Sequence, residues 1–244
     1  MRKNQILRFT ISMLLAITTT GISAQNRTAT GNKKAQAPIT VKMDTVKQKN
    51  KYPLFNGIMV GVNIADPVMR VFGQDYGGYE GIVEVNLFNR FFPEVTLGVG
   101  SADKTSDRDF HYKGKTSFYG RIGMHYNFRY KSDKPNFLIV GIRYGFSSYK
   151  ADITNLYYDN GYWDQVGPFN LYDQKFTSHW LEIGGGIRVK VFKNIYMGWM
   201  VYFKPLLKEG NTKVANPWYI PGYGQNGNGF GFSYNIYYKL PFFK

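Results

Sequence analysis

Taken at every second position, residues 117–130 separate into two faces. Phe118, Gly120, Ile122, Met124, Tyr126, Phe128 and Tyr130 fall on one, and Tyr119, Arg121, Gly123, His125, Asn127 and Arg129 on the other. Successive side chains of a strand point to opposite sides of a sheet, so this period of two predicts a strand, whereas a helix would mix the sets. The same alternation recurs in residues 55–65, 79–88, 94–101, 136–149, 179–192, 195–204 and 229–240. In the first, Ile58, Val60, Val62 and Ile64 oppose Gly57, Met59, Gly61 and Asn63, and in the fifth, Leu138, Val140, Ile142, Tyr144 and Phe146 oppose Ile139, Gly141, Arg143, Gly145 and Ser147. Eight strands follow.

Periodicity does not say which face looks inward. Three features do. The charged face carries glycines, including Gly123, Gly141, Gly145, Gly184 and Gly186, and small residues are what a crowded lumen with a few long charged side chains requires. Aromatics gather toward the strand ends of the apolar face, as in Tyr126, Phe128 and Tyr130, where amphipathic rings suit the boundary of a hydrocarbon layer. The connections alternate long, short, long, short, long, short, long, which puts every long loop on one side. The predicted fold is an all-β, eight-stranded antiparallel up-and-down transmembrane β-barrel. Closure lets every backbone polar group in the bilayer find a partner within the sheet.

Composition supports this reading and narrows it. The chain has 20 Tyr, 19 Phe, 27 Gly and no Cys, which favours strands and excludes disulfides and thiolate metal sites. The net charge of +15 suggests nucleic acid, but much of it lies in the first 51 residues, and the basic stretch 25–51 has no interleaved aromatics, so no nucleic-acid groove is expected. Residues 1–24 have a basic start, an apolar run and a small-residue end, the layout of a secretory signal peptide. Residues 25–53 read as a disordered basic periplasmic tail, too polar to offset the entropy of ordering it. Residues 54–244 form the barrel.

In pattern, this chain resembles the small eight-stranded outer-membrane barrels of Gram-negative bacteria, of the outer-membrane protein A or X type. The resemblance covers roughly residues 55–244 and implies a place in the cell outer membrane. It also implies contact with outer-membrane lipid and with the barrel-assembly machinery during biogenesis. That machinery reads a terminal strand usually ending in an aromatic residue, whereas here Phe242 and Phe243 are followed by Lys244. A surface ligand or a periplasmic envelope partner is the further interaction such a barrel admits.

The lumen of an eight-stranded barrel is just filled by side chains. Inside it the pattern places Glu80, Glu84, Glu94 and Glu182 with Arg121, Arg129, Arg143, Arg188 and Lys190, expected to pair across the barrel and plug it. A lipid A-modifying barrel with a His-containing triad would need His, Ser and an acid within hydrogen-bond reach. The chain has only His111, His125 and His179; His179 neighbours Ser178, but adjacent strand residues point apart. The glycine runs 184–186 and 227–231 do not lie between a strand and a helix, as nucleotide loops do. No catalytic site, cofactor or metal is expected, and the role expected is structural, surface-recognition or envelope-interaction. The rival readings are a lipid A-modifying barrel enzyme and a soluble, lipocalin-like exported barrel.

Overall fold

The computed structural model describes residues 52–106, 110–158, 166–210 and 215–241. The signal peptide, most of the basic tail and the terminal Phe242-Phe243-Lys244 lie outside the described residues. Tyr52, assigned by sequence to the tail, donates a hydrogen bond from its hydroxyl to the Ser132 carbonyl at 3.1 Å.

The strands are β1 (Phe55–Asn63), β2 (Tyr76–Leu87), β3 (Phe91–Thr105), β4 (His111–Asn127), β5 (Asn136–Tyr158), β6 (Val166–Phe192) and β7 (Ile195–Phe203), then the short β8 (Leu206–Lys208), β9 (Tyr219–Ile220) and β10 (Gly224–Gln225), and last β11 (Phe230–Lys239). Each of β1 to β6 pairs antiparallel with the next, β7 pairs with β11, and β11 returns to β1 with Val60 opposite Tyr238. The sheet is therefore a closed ring of eight strands in up-and-down order. β8 continues along β6 beyond the end of β7, with Leu206 opposite Trp180.

Every strand of the ring turns an apolar face outward. Val62, Val83, Leu97, Ile122, Ile142, Ile187, Val201 and Phe232, one from each strand of the ring, are all exposed on its outer wall. Their neighbours in sequence are buried inside: Met59 and Asn63, Glu80, Ile82 and Glu84, Arg143 and Ser147, Tyr202, Asn235 and Tyr237. The arrangement inverts that of a water-soluble globule.

All four expected long connections hold some regular structure, and two of them change the picture most. The connection after β1 holds a helix, α1 (Ala65–Val71). The longest expected loop, residues 150–177, is instead a continuation of the β5–β6 ladder. Lys150 stands opposite Lys175, Ile153 opposite Leu171 and Leu156 opposite Phe169, across register shifts that bend the ribbon. At about 3.3 Å per residue this extension adds roughly 30 Å to the hairpin. Its base is packed rather than free: Tyr149, Ala151, Ile153 and Phe176 are buried together with Tyr112 and Tyr219.

Candidate functional site: the charged lumen

Charge lies in the middle of the lumen, between two aromatic layers. At the end with short turns, the Phe137 and Tyr196 rings stack at 5.8 Å and Phe92 meets Phe137 at 5.4 Å. At the opposite mouth, the segment carrying β9 and β10 folds inward. Tyr219, Ile220 and Tyr223 are buried there, Tyr223 meets Trp180 edge to face at 5.9 Å, and Tyr112 donates to the Tyr219 carbonyl at 3.0 Å. Gly222 makes the inward bend. Its φ of +80° is left-handed, and an added Cβ would fall 2.4 Å from the Tyr119 ring, so only glycine fits. The segment is thus packed into the mouth through Tyr219, Ile220 and Tyr223.

Two linked ion-pair groups fill the space between. In the first, Arg121 donates to Glu80 at 2.6 Å and to the Gly222 carbonyl at 2.6 Å, and lies 3.1 Å from Glu182. Tyr119 also donates to Glu80, at 2.8 Å. Glu182 accepts from Trp180 Nε1 at 2.8 Å and from Arg143 Nε at 2.8 Å, with a second, shorter bond from Arg143 Nη2. Arg143 extends to Glu94 at 3.1 Å and lies 4.0 Å over the Tyr202 ring. In the second group, Arg188 Nη2 donates to Glu84 Oε2 at 2.9 Å, and the guanidinium sits 3.9 Å over Tyr237. All seven of these acids and arginines are buried. A carboxylate in such surroundings must be paired, because bringing it out of water unpaired costs far more than the fold can supply.

Two expected lumen charges lie elsewhere. Arg129 is exposed: β4 ends at Asn127, and Arg129 sits beyond it in a turn, where its backbone N–H bonds the Asn127 side chain at 2.9 Å. Alternation has no meaning past the last ladder residue. Lys190 is exposed close to the end of β6, where a long side chain reaches water.

At the loop mouth a cavity of about 150 Å³ is lined by Asp66, Glu80, Arg121, Glu182, Lys204 and Tyr219, among others. Asp66, on α1, has its carboxyl pushed up to about 6 by burial, with the Glu80 charge adding to the rise. Lys204, just past β7, is pushed down to about 8 by burial, against the pull of Glu182. Its ammonium donates to the Tyr223 carbonyl.

The three histidines are far apart in role. His111 pairs with Asp103 at 2.8 Å on the surface of the β3–β4 hairpin. On the outer wall, His179 Nδ1 is 2.7 Å from the Tyr144 hydroxyl. Ser178 is buried, bonded to Tyr149 at 3.1 Å and to the Gly210 N–H at 3.0 Å. His125 is fully buried, with Nδ1 3.5 Å from Glu84 Oε2 and 3.4 Å from Glu94 Oε2. Sequence spacing gave no sign of that cluster, since its members come from β2, β3 and β4. The signal was in the register: Glu84 lies opposite Glu94, and Glu94 opposite Gly123, two residues from His125.

No curated protein sequence matches the chain. Among solved structures, it is similar to the crystal structure of Neisserial surface protein A (NspA), with 11% identity and a TM-score of 0.31 over 75% of this chain and 94% of that one. Kinship with the outer-membrane protein A or X type thus stays a resemblance in pattern. The family description that fits is that of a domain of unknown function, DUF6048, matched over residues 6–244, and the chain belongs to that family.

Proposed function

We propose that the protein is a non-enzymatic outer-membrane β-barrel whose lumen is closed by its own charges and aromatics and whose extended hairpin is a recognition surface. The observation that carries this is the inverted distribution of polarity. Each strand of the ring exposes aliphatic or aromatic side chains while the charges are buried inside. Soluble monomers rarely expose a contiguous apolar patch beyond a few hundred Å², and a band circling the barrel exceeds that. A soluble barrel carrying a lipophile would need the opposite polarity. The short-turn end supports the same reading: Arg90 lies 4.7 Å over Tyr130 and 5.1 Å over both Phe91 and Tyr126, a cation among aromatics as at a headgroup boundary.

The lumen is a plug rather than a pore, because the guanidinium–carboxylate pairs span it and aromatic layers close both ends. Beyond the apolar band, the β5–β6 hairpin carries polar and charged groups, including Asp173 with Lys115 at 2.7 Å. That surface suits contact with another envelope component. The test is electrical. Reconstituted in planar bilayers, the protein is expected to give no stepwise conductance above the lipid background. Discrete openings would show a continuous water path and refute the plugged lumen.

A further inference from the structure

We propose that Glu84, Glu94 and His125 form a buried binding site for a divalent transition-metal ion of the zinc class. These three side chains each bring one ligand atom within 4.8 Å of the others. All are buried, and among the described residues neither ring nitrogen of His125 nor Glu94 Oε2 has a hydrogen-bond partner. Buried polar groups are normally satisfied, so two of these atoms, His125 Nδ1 and Glu94 Oε2, 3.4 Å apart, call for an occupant between them.

Distances distinguish the occupant. A proton shared between His125 and a glutamate would draw nitrogen and oxygen to about 2.8 Å. The observed 3.4 and 3.5 Å are too long for that bond. These two fit edges of a tetrahedron with metal–ligand bonds of about 2.0–2.2 Å, about 3.3–3.6 Å, and the Glu84 and Glu94 ligand atoms lie within 4.8 Å of each other. One imidazole and two carboxylates suit zinc-class ions, whereas calcium and magnesium take oxygen alone.

The surroundings hold the ligands in place. Arg188 fixes Glu84, while Arg143 and Thr96 both bond Glu94 Oε1 at 3.1 Å and leave Oε2 free. Such outer contacts orient ligating carboxylates. The His125 ring lies on Gly141, where an added Cβ would come within 1.9 Å of Cδ2. The site rests on lumen geometry and not on the membrane reading, so either can fail alone.

The test uses the full chain folded into detergent micelles with zinc present, passed over chelating resin and assayed by atomic emission. About one zinc per chain is expected to survive, because a closed lumen shields the ion. His125→Gln is expected to lower retention about tenfold, while His111→Ala, at the exposed Asp103 pair, leaves it unchanged. No retained zinc in the wild type, undiminished retention in His125→Gln, or loss in His111→Ala overturns the proposal. Should His125→Gln fail to fold, the wild type folded with cobalt decides. Intense visible absorption from a tetrahedral ion is expected, and weak octahedral absorption contradicts the site.

Discussion

Glu182→Ala lowers the stability of the folded barrel by about 3–5 kcal/mol, the usual cost of removing one partner from a buried ion pair. Glu182 accepts from Arg143 and Trp180 and is ion-paired with Arg121 at 3.1 Å. Its loss leaves two buried guanidiniums sharing the remaining lumen acids. The variant should yield little folded barrel, and what folds should lose the edge-to-face contact of Trp180 with Tyr223. Urea unfolding in micelles, followed by tryptophan fluorescence, measures the change. Glu182→Gln, which keeps acceptor and volume but not charge, should fall between variant and wild type. A cost below about 1 kcal/mol for Glu182→Ala would mean that water already solvates these groups.

Ile122→Arg destabilises the barrel in a bilayer by about 2–4 kcal/mol if the residue lies near the midplane. Ile122 is 58% exposed on the outer wall of β4. At such a site a soluble protein would tolerate the change within about 0.5 kcal/mol and gain solubility from it. The two environments thus predict different outcomes for one substitution. Folding efficiency into vesicles at graded urea measures it. A neutral result would place the apolar band in water or against another protein.

Much of this architecture is legible in the chain because a period of two is the geometry of a strand and each strand here has one apolar and one charged face. The sorting of Phe118 and Ile122 from Tyr119 and Arg121 needs no tertiary information. What was not legible fails for physical reasons. Along the β5–β6 extension Ala151 and Ile153 are buried only at the base, and register shifts with positive φ at Asn155 and Asp173, 57° and 52°, interrupt the alternation that marks a half-buried strand. Asp66-Pro67 ends β1 by its chemistry, yet proline is also tolerated in a helix's first turn, and α1 begins there. Arg129 was assigned to the lumen by extending a period past the strand that generates it. The meeting of His125 with Glu84 and Glu94 depends on register across three strands, which no local window contains.

The membrane placement of the apolar band is tested most directly by fractionating cells and running the protein from the detergent-insoluble envelope on a denaturing gel, with and without boiling. A closed barrel solvated by lipid stays folded in unboiled detergent, so the expected result is recovery from the outer-membrane fraction with a heat-dependent shift in mobility. Recovery from the soluble fraction, with no shift on boiling, would contradict the account.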